Sequence, residues 1–164
     1  MKSSIERYKL EGKKFVVFFM CGLPGSGKST WAKEYHGDLP VVSRDAVRAK
    51  LGYTESVDEK AVLTNGQEQE VSQEENYQIA KLALKKQSFV LDDTNTVPKY
   101  RKNMLASLRS YGATIVGVNM NTPVETCIER RRGQIPAEAI RRISARLQPL
   151  KEEDVDELIN ANGY

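Results

Sequence analysis

The sequence contains few of the side chains that build zinc sites and nucleophilic triads. Its 164 residues include one histidine, His36, and two cysteines, Cys21 and Cys127. A zinc site cannot be assembled from three such residues scattered along the chain, so we expect no metal cluster. A Ser-His-Asp triad would have to use His36, and no pattern around it indicates one. The cysteines show no disulfide-framework spacing, which favours a reducing, cytoplasmic setting.

Long hydrophobic runs and a strong excess of one charge are also missing. The longest apolar run, Phe15–Cys21, has seven residues, too few to span a bilayer. A glycine-rich segment follows it instead of a small-residue cleavage site, so we expect neither a signal peptide nor a membrane partner. The formal net charge of +3 is too small for a protein that coats long nucleic acid by charge alone. It leaves room for a local basic site.

The length fits a single domain over residues 1–164, with the polar residues 1–14 as a loose N-terminal arm. Apolar and β-branched stretches predict strands, most of them buried. These stretches are Phe15–Met20, Val41–Val42, Phe89–Leu91 and Ala113–Met120. Strands that alternate with helices predict an α/β fold, in which helices cover both faces of a parallel sheet.

The predicted helices fill the intervals between the strands and continue after the last one. They are Lys28–Tyr35, one that begins near Arg44 with Ser43 as its cap, Gln67–Lys86, Pro98–Tyr111, Pro123–Arg132 and Pro136–Gln148. The acidic stretch over residues 53–75 is interpreted as a solvated surface. The acidic segment from Lys151 onward is expected to form one short helix.

The first predicted turn is a phosphate-binding loop. Residues 22–29 read Gly-Leu-Pro-Gly-Ser-Gly-Lys-Ser and match the pattern G-x-x-x-x-G-K-[ST]. Its glycines let backbone N–H groups point at phosphate, and the following helix adds its positive end. Lys28 can reach the β- and γ-phosphates, and the Ser29 hydroxyl can bind Mg²⁺. A chance glycine turn is the alternative. The motif lies between a predicted strand and a predicted helix, however, and this favours a loop that binds ATP with Mg²⁺. The predicted nucleotide-binding residues here are Gly22, Gly25, Ser26, Gly27, Lys28, Ser29 and Thr30.

A carboxylate and a guanidinium follow the second strand. Asp45 lies in the first turn of the next helix, and Arg48 lies three residues later on the same face. Ligands of open α/β sheets bind at the carboxyl ends of the strands. Asp45 could therefore accept a proton from an attacking hydroxyl, and Arg48 could grip an acceptor phosphate. A surface pair at a helix start remains the alternative.

Asp93 ends the third predicted strand and is followed by Thr94 and Asn95. An acidic residue at such a strand end usually serves Mg²⁺ and its waters, so Asp93 is a candidate for a water-mediated metal contact. A turn-forming Asp-Thr-Asn sequence is the alternative.

An arginine-rich segment interrupted by glycine lies near the end of the chain. Residues 130–132 are three consecutive arginines before Gly133, and Arg141, Arg142 and Arg146 follow on the next helix. A glycine between two helical stretches indicates a hinged lid whose arginines close over a triphosphate. Three consecutive arginines cannot all face one ligand. A basic helical surface is the alternative.

Together these segments resemble the kinase domain of bacteriophage polynucleotide 5′-kinase/3′-phosphatases. The resemblance covers roughly residues 15–150. It rests on residues 22–35, on Ser43-Arg-Asp-Ala-Val-Arg48, on Leu91-Asp-Asp-Thr-Asn95 and on Arg132-Gly133 before Pro136. It implies a P-loop kinase fold with an Arg-rich lid. It also implies that Lys28 and Ser29 hold the donor phosphates and Mg²⁺.

The resemblance gives the remaining residues roles as well. It implies that Asp45 is the general base for the 5′-hydroxyl, that Arg48 grips the acceptor's 3′-side phosphate and that Asp93 organises the site. Arg132 would be the lid arginine that contacts ATP, with Arg130 as a second candidate. The phosphatase signature Asp-x-Asp-x-Thr is absent, because Asp92-Asp93-Thr94 has the wrong spacing, so no 3′-phosphatase activity is expected.

The sequence therefore predicts an ATP-dependent, Mg²⁺-dependent kinase that phosphorylates the 5′-hydroxyl ends of DNA or RNA. Such an enzyme would serve nucleic-acid repair, in the host cytoplasm if a phage encodes it. One alternative is a related kinase with a nucleoside, sugar or antibiotic acceptor. A second is a nucleotide-dependent switch module.

Overall fold

The computed structural model describes residues 15–53 and 64–164. The strands are β1 Val16–Cys21, β2 Val41–Val42, β3 Phe89–Leu91, β4 Thr114–Met120 and β5 Glu157–Ala161. The helices are α1 Lys28–His36, α2 Arg44–Lys50, α3 Asn65–Leu84, α4 Pro98–Ser110, α5 Val124–Arg130 and α6 Ala137–Arg146, with a 3₁₀ turn at Glu152–Asp154. The predicted N-terminal arm and residues 54–63 of the acidic stretch lie outside the described residues.

The five strands form one parallel sheet in the order β2-β3-β1-β4-β5. The predicted α/β fold is confirmed. In the central strand, Val17 is paired with Phe89 on one side and with Ile115 on the other. All six residues of β1 are buried, which explains why this strand is a continuous apolar run. The carboxyl ends of β1, β2 and β3 meet at one edge of the sheet, where the polar segments follow.

Helices cover both faces of the sheet. Alternate residues of β1 point to opposite sides, so Val17 and Phe19 face one core while Phe18 and Met20 face another. On the first face α3 and α4 pack with Ile79, Ala83, Leu105 and Leu108. On the second face α1 packs with Trp31 and Ala32. A small third cluster of Leu23, Cys127 and Ile140 joins the phosphate loop to α5 and α6.

The C-terminal segment differs from the sequence prediction. It was expected to form one short helix, but only Glu152–Asp154 makes a 3₁₀ turn, and Glu157–Ala161 forms β5. This strand pairs along β4, with Leu158 facing one core and Ile159 the other. The acidic residues favoured a solvated helix, and pairing with a strand about 40 residues earlier outweighed that local preference.

The helix boundaries follow local signals closely. The predicted cap of α2 is confirmed, because the Ser43 hydroxyl accepts a hydrogen bond from the Ala46 amide at 3.0 Å. The helix α4 begins at Pro98, where the sequence placed its first turn. No helix within residues 15–53 and 64–164 is long and apolar enough to cross a membrane.

Candidate active site

The phosphate loop is held at the edge of the sheet by its neighbours. The Gly22 amide donates to the Thr94 carbonyl at 2.9 Å, which ties the start of the loop to the segment after β3. Gly25 and Gly27 have φ angles of 82° and 95°, in the left-handed region that favours glycine. A Cβ atom on Gly27 would lie 2.8 Å from the Cβ atom of Tyr164. These positions therefore need glycine for both backbone conformation and space.

Lys28 lies beneath this loop and is almost buried, with 9% of its surface exposed. Its Nζ donates to the carbonyls of Leu23 at 2.8 Å and Gly22 at 3.2 Å. Burial lowers the pKa of Lys28, while the carboxylates of Asp92 and Asp45 oppose that shift. Asp45 is therefore within electrostatic reach of the lysine, as expected for a group facing the donor phosphates.

Ser29 and Asp92 form the hydroxyl–carboxylate pair at the site. The Ser29 Oγ donates to the Asp92 Oδ2 at 2.7 Å. Oxygen ligands of this kind fit Mg²⁺, which keeps several waters and binds through one or two protein groups and the substrate phosphates. From the sequence, Asp93 and not Asp92 is the candidate for this role. The available signal was that consecutive residues at a strand end point in opposite directions.

Asp93 contacts the start of α2. Its Oδ1 accepts from the Arg44 amide at 2.8 Å, one of the helix N–H groups that lack a partner within the helix. A carboxylate at this end also interacts favourably with the helix dipole. Asp93 thereby fixes the helix that carries Asp45 and Arg48. The structure places Asp92, and not Asp93, beside Ser29, so the predicted metal contact of Asp93 stays a prediction.

Asp45 and Arg48 meet as their spacing predicted. The Arg48 Nη1 donates to the Asp45 Oδ1 at 2.9 Å, and its Nε donates to the Glu68 Oε1 at 3.3 Å. The Asp45 side chain is 93% exposed, whereas that of Arg48 is 27% exposed. Glu68 thus orients the guanidinium from behind, and the carboxylate remains open to a substrate.

Arg44 connects this pair to the interior. Its guanidinium bonds to Glu68 at 2.7 Å and to Glu75 at 3.2 Å. Glu75 is 4% exposed, so the interpretation of the acidic stretch as a solvated surface is wrong for this residue. Burial and a hydrogen bond with Asp93 raise the pKa of Glu75 to about 9. The Arg44 guanidinium beside Glu75 acts on this pKa in the opposite direction.

The arginine-rich segment divides between two environments. Arg130 and Arg131 line a cavity of about 270 Å³ beside the phosphate loop. The Arg130 Nη1 donates to the Gly25 carbonyl at 3.1 Å, and its Nη2 donates to the Tyr164 carbonyl. Arg132 instead pairs with Glu129 at 2.5 Å and is 77% exposed. The geometry thus brings two of the three consecutive arginines to the cavity, and Arg132 is not among them.

Arg101 is a structural group that sequence reasoning missed. It is 4% exposed, and its guanidinium donates to the carbonyls of Asn95 at 2.8 Å, Gln148 at 2.5 Å and Pro149 at 3.1 Å. It therefore joins the segment after β3 to the chain that follows the arginine-rich helices. No sequence signal distinguished it from the other basic residues of α4.

A comparison with protein families identifies the chain. Residues 17–150 match the sequence model of a family described as AAA domain. The chain belongs to this AAA domain family. The match includes the phosphate loop, the Asp45–Arg48 pair and the arginine-rich segment. No curated protein sequence matches the chain significantly.

Solved structures show the same fold. A chain of the Pnkp1/Rnl/Hen1 RNA repair complex superimposes with a TM-score of 0.68 and 23% identity, over 85% of this chain and 46% of that one. The chain thus spans about half the length of that protein. The Kti12 protein of Chaetomium thermophilum, in complex with ADP-AlF3, superimposes with a TM-score of 0.60 and 17% identity, over 89% of this chain and 88% of that one. The shikimate kinase of Acinetobacter baumannii, in complex with shikimate, superimposes with a TM-score of 0.57 and 20% identity, over 93% of this chain and 87% of that one. The resemblance predicted from the sequence is confirmed for the fold, which is that of P-loop kinases.

Proposed function

We propose that the chain is an ATP-dependent kinase that transfers the γ-phosphoryl group to the 5′-hydroxyl end of DNA or RNA. The observation that carries the proposal is the Asp45–Arg48 pair on α2. Its carboxylate is 93% exposed and lies within electrostatic reach of Lys28. A proton acceptor whose charge acts on the lysine of the phosphate loop, with a guanidinium 2.9 Å away, suits a hydroxyl acceptor that carries its own phosphate.

On the donor side, the loop amides and Lys28 would hold the ATP phosphates. Ser29 and Asp92 would hold Mg²⁺, which neutralises charge on the β- and γ-phosphates when it is bound. Arg130 and Arg131 line the cavity beside the loop, where guanidinium groups can stabilise the transferring phosphoryl oxygens. Phosphoryl transfer depends mainly on positioning and charge, so these groups need no covalent role.

On the acceptor side, the 5′-oxygen attacks the γ-phosphorus in line, and the bond to the ADP oxygen breaks. The proton of the 5′-hydroxyl passes to the Asp45 carboxylate. Arg48, oriented by Glu68, would bind the phosphate on the 3′ side of the same nucleotide through two parallel hydrogen bonds. Asp93 and Arg44 keep α2 in place for both contacts.

The similarity to a chain of an RNA repair complex supports a polynucleotide acceptor. The similarity to shikimate kinase supports the rival reading, a kinase with a small acceptor. A transfer assay distinguishes these two functions. The protein is mixed with γ-labelled ATP and Mg²⁺, and with either a 5′-hydroxyl oligonucleotide or a panel of shikimate, sugars and nucleosides. We expect label at the oligonucleotide 5′ end. Faster labelling of a small acceptor would refute the proposal, and nucleotide binding without transfer to any acceptor would indicate a switch.

Replacing Arg48 with alanine is expected to raise the KM for a 5′-hydroxyl oligonucleotide at least about tenfold, with little change in the KM for ATP. The lost group is a charge-assisted donor to the acceptor, and such hydrogen bonds are worth about 1.5–3 kcal/mol. Steady-state kinetics with each substrate varied in turn measures both constants. An effect confined to the KM for ATP would indicate that Arg48 binds ATP and not the acceptor.

Alanine substitutions at the three consecutive arginines are expected to have unequal effects. Arg130→Ala and Arg131→Ala should lower kcat about 10²–10³-fold, because these side chains line the donor cavity. Arg132→Ala should lower kcat less than about tenfold, since its guanidinium pairs with Glu129 away from the cavity. Comparing kcat for the three variants shows which arginine stabilises the transferring phosphoryl group. The largest loss at Arg132 would favour the lid role that the family resemblance implies for it.

A further inference from the structure

A second cavity, of about 470 Å³, lies between α3 and α4 at the carboxyl end of β3. Its size falls in the range of about 300–1,000 Å³ that is usual for ligand sites. Arg44 and Asp93, which position the acceptor helix, are part of its wall. The cavity shares no lining residue with the one beside the phosphate loop. Its wall thus includes two residues that position the acceptor helix and none that line the donor cavity.

The wall of this second cavity includes polar side chains, apolar side chains and one exposed aromatic ring. Asn76 and Thr94 offer amide and hydroxyl groups of the kind that hydrogen-bond the edges of nucleobases. Tyr100 is also part of the wall, with 72% of its surface exposed. An exposed ring in the wall of a cavity is suited to stacking, and every nucleobase has a face that can stack on it.

A cation accompanies this ring. The Lys99 Nζ lies 5.9 Å from the centre of the Tyr100 ring, on the solvent side of α4. Aromatic rings that alternate with basic groups are the usual surface for single-stranded nucleic acid, because bases stack while phosphates meet the cations. A small acceptor that filled the site alone would gain nothing from an exposed ring and lysine outside it.

We propose that this second cavity receives a nucleotide of the acceptor strand beyond the one that is phosphorylated, with its base stacked on Tyr100 and its phosphate near Lys99. The proposal rests on the proposed function and names its substrate more closely, as a single strand. Tyr100 is then a specificity-determining residue that separates polynucleotides from mononucleotides. It takes no part in the transfer of the phosphoryl group.

The test compares a 5′-hydroxyl nucleoside 3′-monophosphate with a short single-stranded oligonucleotide that begins with the same nucleotide. Tyr100→Ala is expected to raise the KM for the oligonucleotide about tenfold or more and to leave kcat and the KM for the mononucleotide unchanged. Tyr100→Phe keeps the ring and should retain the original constants. Tyr77→Ala is the matched control, because Tyr77 is 62% exposed on α3 and is not part of the cavity wall.

Lys99→Ala supplies a second measurement. Loss of one phosphate contact should reduce the dependence of the oligonucleotide KM on salt concentration, and the mononucleotide KM should keep its salt dependence. An equal effect of Tyr100→Ala on both acceptors, or no effect on either, would overturn the inference. If the unmodified protein phosphorylates neither acceptor, the proposed function itself fails, and that outcome is distinct from a failure of this inference.

Discussion

Lys28→Ala is expected to reduce phosphoryl transfer at least about 10³-fold. The lysine supplies a positive charge at the donor phosphates from a buried position, where such charges act strongly. Its Nζ donates to the carbonyls of Gly22 and Leu23 in the loop, so we expect its removal to leave the core packing in place. Initial rates with labelled ATP and a 5′-hydroxyl oligonucleotide measure the loss.

Lys33→Ala is the matched control for this experiment. Lys33 lies on the same helix α1, five residues further along, and is exposed to solvent. It should retain full activity and the same melting temperature as the unmodified protein. Activity of Lys28→Ala within about tenfold of the unmodified protein would contradict the assignment of the phosphate loop.

Asp45→Asn is expected to lower kcat about 10²–10⁴-fold, the usual range for loss of a positioned base. Asparagine keeps the size and the hydrogen-bonding capacity of the side chain but cannot take the proton of the 5′-hydroxyl. ATP binding should change little, because Lys28, Ser29 and the loop amides remain. Single-turnover transfer to a 5′-hydroxyl oligonucleotide separates this chemical step from product release.

Stability measurements separate catalysis from helix capping. Ser43 caps α2 through its hydroxyl, so Asp45 is not needed as the cap and Asp45→Asn should keep the melting temperature. Glu138→Gln is a suitable control, since Glu138 is the acidic residue in the first turn of α6. Normal transfer by Asp45→Asn would remove Asp45 from the mechanism, whatever the thermal stability of the variant.

The features that the sequence predicted correctly depend on short-range signals. The phosphate loop, the cap at Ser43 and the Asp45–Arg48 pair are each defined within a few residues, where spacing alone fixes the geometry. The central strands were recognisable because strands buried on both faces are continuous apolar runs. The strand β5 was missed because its pairing with β4 joins distant parts of the chain.

The contacts in the site that the sequence does not determine have a similar origin. Asp92 and Asp93 are adjacent, and only the paths of the strand and of α2 decide which carboxylate meets Ser29. The helix α5 ends at Arg130, so helical periodicity does not determine the directions of the next two arginines. The burial of Glu75 and Arg101 depends on contacts between separate elements. Such contacts cannot be inferred from the residue types of a local segment.

The most direct test of the account compares kcat/KM for a 5′-hydroxyl oligonucleotide with kcat/KM for the nucleoside that forms its 5′ end. The site is proposed to recognise a strand end through the phosphate on the 3′ side of that nucleoside, which Arg48 binds. We expect the unmodified protein to prefer the oligonucleotide at least about tenfold, and Arg48→Ala to abolish this preference. An equal or higher kcat/KM for the free nucleoside would contradict the assignment of a polynucleotide 5′-kinase.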